Sequence, residues 1–398
     1  MRLFFTTEEF IYKGNPAQLV PFLCYDNMEF VVDVNDYLMW LSLENSHTSS
    51  PATWKSHAES LYDYFSWLHA NNLEWDLKPK KGTDGEEITN VAIYRNWSLS
   101  LINPDTGTSK LQKSTVRKRL THLMSFYRWA QLRGRIYFLP WNADFRIIEA
   151  GHPSMYRHTR AGRIVSRDNL RPKAIKKAIP LLTISQCKDL INTCQTKTLL
   201  LMTKLMLQTG LRNEECRTFP RKYIFDPTRL LERNRIPLNL DPADMSLKGS
   251  KPRRIYLTWQ LMKELFDYLN FGEGVERAKL FQKNFKEKTA RTFLNVDGEY
   301  WSEKGLNNAY RKLWVREEKP PILSFRVTPH MLRHTFATFE LYSESKRTNI
   351  GNALAWVRDR LGHRSIATTT VYVHCLDLME ESELNIYQKE LDDMMGNR

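Results

Sequence analysis

Two stretches in the first half of the chain repeat apolar residues at helical spacing. From Ser50-Pro51 onward, Trp54, Ala58, Leu61, Phe65 and Leu68 fall on one face. The serine is placed to cap that helix, and the proline suits its first position. After Ser114, Val116, Leu120, Leu123, Tyr127 and Ala130 make a second stripe, with Arg117, Arg119, Arg128 and Gln131 on the other side. The pattern predicts a small all-helical domain from about residue 28 to about residue 150. Residues 1–27 are short and mixed, and no fold can be assigned to them. The stretch 151–180 lacks any sustained apolar period and is punctuated by Pro153, Pro172 and Pro180, which predicts a linker between domains.

Residues 181–398 read as mainly helical with a small antiparallel sheet. Thr183-Ile184-Ser185-Gln186 has the form of a capping box, and a helix through 199–208 stops at Gly210, a glycine suited to a C-cap. Short extended segments follow. Met245-Ser246-Leu247 and Arg254-Ile255-Tyr256-Leu257 are expected to pair across a turn at Lys248-Gly249-Ser250. Helical patterns resume at Trp259, and the tail carries a stripe of Leu384, Tyr387, Leu391 and Met394.

Charge narrows the choice of partner. The chain of 398 residues carries a formal charge of +14. Eight basic residues and no acid lie between Lys110 and Arg135, and eight against the single Asp168 lie between Arg157 and Lys177. Arg117, Arg119 and Arg128, with Arg160, Arg163 and Arg167 of the linker, are therefore expected to face nucleic-acid phosphates. The lack of nearby acids favours that reading over a merely solvated helix face. Five cysteines without a C-x-x-C pair indicate neither a disulfide framework nor a zinc site. No apolar run reaches membrane-spanning length, and Met1-Arg2-Leu3-Phe4-Phe5 lacks the longer stretch of a signal peptide. A soluble, cytoplasmic, nucleoid-associated protein with no membrane partner is the expectation.

Four separated segments carry chemistry. Thr209-Gly210-Leu211-Arg212-Asn213-Glu214-Glu215 sets an arginine just past a glycine-ended helix, and Lys248 sits on the hairpin turn. Thr328-Pro329-His330-Met331-Leu332-Arg333-His334 opens a helix, and Leu361-Gly362-His363 precedes Tyr372. Each has a bland alternative. Arg212 could pair with Glu215, Lys248 could be a solvated lysine, and Tyr372 could be an ordinary core tyrosine. His330 and His334 could bind zinc, but Met331 stands where the zinc-protease pattern needs a glutamate.

Taken together, in this order and without a substitution, the segments resemble the tyrosine recombinase (phage integrase-like) family. Its motifs are T-G-x-R-x-x-E, a hairpin lysine, H-x-x-R-H, and L-G-H ahead of a nucleophilic tyrosine. The resemblance implies a helical SAM-like core-binding domain followed by an α+β catalytic domain. It implies an active site of Arg212, Lys248, His330, Arg333, His363 and the nucleophile Tyr372, with Glu215 in support and His334 in a packing or supporting role. Double-stranded DNA would be the substrate, bound by a dimer at one site and by a homo-tetramer across two. The tail helix would then dock either on its own domain or on a neighbouring subunit.

The chemistry explains the residue types. A phenol with a pKa of about 10 is only about 0.1% ionised at neutral pH, so the tyrosine needs help. Arginine forks and a histidine donor can stabilise the charge gathering on the phosphate, at roughly 3 kcal/mol each. Within the resemblance, Lys248 is the general acid for the 5′-oxygen, and His363 bonds the phosphate or the attacking oxygen. The cationic side chains replace a metal, so no cofactor is expected. A mobile-element integrase is preferred, because the chain is longer than minimal chromosome-dimer-resolving members. Residues 1–27 are also short for an arm-site domain. The alternatives are a type IB topoisomerase-like nicking-closing enzyme and a catalytically silent DNA-binding regulator.

Overall fold

A computed structural model of the chain describes residues 1–45, 50–78, 80–81, 87–147, 164–173, 178–230, 235–315 and 320–376. The chain folds as two units, Met1–Lys177 and Ala178–Arg398.

The first unit is built on α1 (Val32–Met39), α2 (Pro51–Ala70), α3 (Asn90–Ser100) and α4 (Lys113–Leu132). All ten residues of the two apolar stripes are buried, because α2 and α4 pack on each other and share one aromatic-rich core. Ser50 is the N-cap residue of α2 with Pro51 first in the helix, whereas α4 starts at Lys113 behind Gln112.

Residues 1–27 belong to this unit. β1 (Arg2–Phe5) pairs antiparallel with β2 (Pro21–Cys24), and Leu23 lies fully buried in the helical core. Strands of four residues show too little alternation to stand out in the sequence. The expected linker is also partly built in. β3 (Ala143–Ile147) pairs antiparallel with β4 (Ile164–Asp168), and Leu170 is buried in the same core. One apolar residue makes no period, so its burial left no trace in the pattern.

The expected phosphate-facing arginines divide. Arg119 is ion-paired to Asp63 at 2.6 Å, an acid that comes from α2 and is distant in sequence. Arg117 donates to the Pro172 carbonyl at 2.8 Å. Arg128 is exposed, with its guanidinium over the Trp141 ring. Arg160 and Arg163 lie outside the described residues. Arg167 is described only by its backbone, opposite Asp144 in the β3–β4 pair.

In the second unit, α5 (Ile184–Thr193) opens with the Thr183–Gln186 capping box, and α6 (Lys197–Thr209) ends on Gly210 at φ 65°. β5 (Ile236–Leu240) pairs antiparallel with β6 (Arg253–Leu257). Met245-Ser246-Leu247 is therefore not the partner strand but part of the connecting loop. Met245 and Leu247 are buried against the core, which produces the same alternation as pairing would.

Helices α8 (Trp259–Asn270), α9 (Glu273–Phe285) and α10 (Gly305–Trp314) follow the short α7 (Asn213–Arg217) and the sheet. Then α11 (Pro329–Arg347) packs against α6 and α12 (Ile350–Leu361). The described chain closes with α13 (Ile366–Thr369), a 3-10 turn at Thr370–Tyr372, and α14 (Val373–Leu376). The tail stripe of Leu384 to Met394 lies outside the described residues. Among those described, no helix is long and apolar enough to cross a membrane.

Candidate active site

Helix ends position most of the site. Gly210 takes the left-handed conformation that ends α6 and turns the chain toward Arg212, the N-cap residue of α7. Glu215 is one turn further on and 1% exposed. Its Oε2 accepts from the Arg212 backbone amide at 2.8 Å, and its Oε1 from Arg212 Nη1 at 2.9 Å. On α11, Thr328 caps the helix by accepting from the Met331 amide, with Pro329 at the first position. One turn of this helix presents His330, Arg333 and His334.

Arg333 ties two of these turns together. At 2% exposure, it donates from Nη1 to the Gly210 carbonyl at 2.6 Å and from Nη2 to the Leu361 carbonyl at 2.8 Å. Both acceptors sit at the electronegative C-terminal ends of helices, where a cation is favoured. Burial, and then the charge of Arg212, push its pKa down to about 9, so it remains charged at neutral pH.

Two histidines flank the tyrosine, and a third packs against one of them. Tyr372 is buried, and its hydroxyl lies 3.0 Å from His334 Nδ1. Burial depresses the His334 pKa to about 4, with His330 and Arg333 adding to the effect, so the ring is neutral at pH 7. Its Nδ1 can then accept from the phenol, leaving the ring proton on Nε2. The His363 ring stacks parallel to the phenol at 6.3 Å between centroids, and its Nδ1 is 2.9 Å from Thr369 Oγ1. Burial, followed by Arg333 and Arg212, pushes the His363 pKa down to about 3. His330 is edge-on to His334 at 4.1 Å at the solvent side of the group, and partial loss of water on its protein-facing side, then the charges of Arg333, Arg212 and Lys248, lower its pKa. Burial raises the Tyr372 pKa, while the positive charges of Arg333 and Arg212 pull the other way.

The structure therefore brings Arg212, Glu215, Arg333, His334, His363 and Tyr372 into one connected group, with His330 at its edge. His334 does more than pack, because it touches the expected nucleophile. Lys248 makes no hydrogen bond to this group among the described residues and acts on it through its charge on His330. It is exposed on the loop between β5 and β6, inside a turn closed by the Ser250 amide on the Leu247 carbonyl. Ser246 tethers that loop to α7 by donating to Glu214 at 2.7 Å.

Arg253 is a member of the site that the motifs missed. Its side chain is 4% exposed and grips both oxygens of Glu215, Nη2 to Oε2 at 2.6 Å and Nη1 to Oε1 at 3.1 Å. A signal was present. Arg253 alternates with Ile255 and Leu257, so a strand over these residues puts an arginine on the buried face. Burial alone would raise the Glu215 pKa. The Arg253 hydrogen bonds and charge, together with the Arg212 amide and charge, hold it below the ordinary carboxylate range.

A buried phenol set among arginines and neutral histidines is an arrangement for attack on a phosphodiester. The chain belongs to the phage integrase family, whose model matches residues 180–378, and is a tyrosine recombinase, an enzyme that transfers DNA strands by transesterification. Among its relatives is tyrosine recombinase XerC of Halalkalibacterium halodurans, 28% identical over 354 residues that span 86% of this chain and 92% of the relative. Another is transposase A from transposon Tn554 of Staphylococcus aureus, 29% identical over 335 residues, or 83% of this chain and 78% of that protein. Of solved structures, the XerH site-specific recombinase bound to difH substrate aligns with a TM-score of 0.46 and 16% identity. That alignment covers 89% of this chain and 82% of the other.

Proposed function

We propose that the chain moves a mobile element by cutting and rejoining double-stranded DNA through a 3′-phosphotyrosyl link on Tyr372. The carrying observation is the Tyr372 hydroxyl held 3.0 Å from a neutral histidine nitrogen, in the same group as Arg212 and Arg333. Similarity to a transposase supports the mobile-element reading.

In this reading, the phenol oxygen attacks phosphorus and the bond from phosphorus to the 5′-oxygen breaks. The phenol proton passes toward His334, a weak base that keeps the resting tyrosine protonated and takes the proton as negative charge builds. Arg212, Arg333 and His330 donate to the non-bridging oxygens, and His363 bonds the phosphate or the attacking oxygen. Lys248, on its exposed loop, protonates the leaving 5′-oxygen. A 5′-hydroxyl from a partner duplex then reverses these steps and restores the phenol. Arg117 and Arg128 are proposed to contact phosphates outside the reacting group. A dimer at one site and a homo-tetramer across two complete the proposal.

The test uses a nicked suicide duplex whose sequence the full-length protein has selected from a randomised library. Wild type is expected to form a denaturation-resistant covalent adduct, and Tyr372→Phe to bind with unchanged Kd and form none. An adduct from Tyr372→Phe would show that the nucleophile is misassigned. Tight binding by wild type with no adduct would favour a DNA-binding regulator.

A further inference from the structure

Glu215 is answered by two arginines, of which Arg212 alone belongs to the motif set. We infer that Arg253 is a positioning residue for strand cleavage. By occupying both oxygens of Glu215, it prevents Arg212 from closing its whole guanidinium fork on that carboxylate and leaves the fork free for the scissile phosphate. This role rests on the recombinase reading above.

The geometry carries the argument. A carboxylate that is 1% exposed must have its lone pairs satisfied, and the best single partner is an arginine bound through two parallel N–H groups. Arg253 supplies that bidentate grip. Arg212 then contributes only Nη1 and its backbone amide, with its side chain still 23% exposed. Its Nε and Nη2 have no protein partner among the described residues. Without Arg253, the two-pronged arrangement on Glu215 would fall to Arg212, and the prongs it would use are those a phosphate needs.

Arg253 is engaged within the protein rather than held open for a phosphate. Its Nε donates to the Arg360 carbonyl at 2.9 Å, so all three nitrogens of its fork are used inside the protein. The turn before His363 also lies on its aliphatic stem, since a Cβ at Gly362 would stand 3.1 Å from Arg253 Cδ.

The experiment is single-turnover cleavage of the selected suicide duplex by the full-length protein. Arg253→Lys keeps the charge but loses the fork, and Arg253→Gln loses both. Arg253→Lys is expected to bind DNA within about threefold of wild type yet cleave on the order of 10- to 100-fold more slowly, as when one transition-state donor is misplaced. Two further readouts separate positioning from mere support. On a duplex with sulfur in place of the 5′-bridging oxygen, the leaving thiolate needs no proton. Lys248→Ala should recover on it and Arg253→Lys should not. Combined with Arg212→Lys, the Arg253→Lys change should add little further slowing, because both act on one donor.

Cleavage by both Arg253 variants within threefold of wild type overturns the inference. So does recovery of Arg253→Lys on the sulfur duplex, full additivity with Arg212→Lys, or loss of DNA binding in step with cleavage in both variants. A wild-type protein that forms no adduct would instead overturn the recombinase reading itself.

Discussion

Gly210 meets two demands that no other residue type satisfies together. Its φ of 65° is left-handed, and a Cβ there would stand 2.3 Å from the Phe336 ring and 2.9 Å from Leu361. The first demand is local, and it could be read from a glycine following a helical stripe. The second is not, because Phe336 and Leu361 approach from α11 and α12. Gly210→Ala is therefore expected to cost roughly 2–4 kcal/mol, the sum of left-handed strain and overpacking. Hydrogen exchange of α6 and α11 peptides in the intact protein measures this, and an opening free energy equal to wild type would rule the argument out. Arg253 shows the same division. Strand alternation marks its side chain as inward, but nothing in the linear order says that Glu215 waits there.

At the scale of elements, the helix ends were the most legible feature. Thr183 with Gln186, Thr328 with Pro329, and Gly362 after Leu361 each act within a few residues, so cap chemistry shows in the sequence. The sheet was less legible because strand pairing is non-local. Buried Met245 and Leu247 imitated a strand, while β5, the true partner of β6, lay further back. Another non-local contact joins α2 to α4. His57 and His122 stack at 3.9 Å, with His57 Nδ1 at 3.0 Å from the Tyr37 hydroxyl and His122 Nδ1 at 2.8 Å from Ser60 Oγ. Burial lowers their pKa values to about 3 and about 4, in each case with a contribution from Lys118.

Both imidazoles are thus neutral when folded and titrate near 6.5 when unfolded. As pH falls below 6.5, the unfolded chain binds protons that the folded chain refuses, so stability is lost toward acid. For buried His57 the slope is about 1.4 kcal/mol per pH unit, until the pH approaches its folded pKa. His57→Phe should keep the stacked ring but flatten the decline in α2 and α4 amide protection between about pH 6 and pH 4.5. A decline as steep as in wild type would mean that other groups drive it.

Over the whole molecule, the charge of +14 favours binding to DNA, but a formal count does not say which cations remain available. From the sequence alone Arg119 and Arg128 have the same prospects as phosphate contacts, since no acid is near either. Folding separates them. Asp63 accepts from Arg119 and from the Tyr94 hydroxyl, so that arginine links α2, α3 and α4 and its charge is already answered. Arg128 is exposed, and the Trp141 ring beneath its guanidinium leaves the charge in place. Each phosphate neutralised by a protein cation should steepen the dependence of log Kd on log salt by about 0.9. Arg128→Gln is accordingly expected to lower that slope by about 0.9 for the full-length protein on its selected duplex. Arg119→Gln should leave the slope unchanged and instead reduce amide protection in α2 and α4, where the freed Asp63 loses its cation. Salt titrations of both variants decide the matter. Equal reductions in slope would mean that Arg119 leaves Asp63 for DNA, and no reduction in either would place the phosphate contacts on other cations.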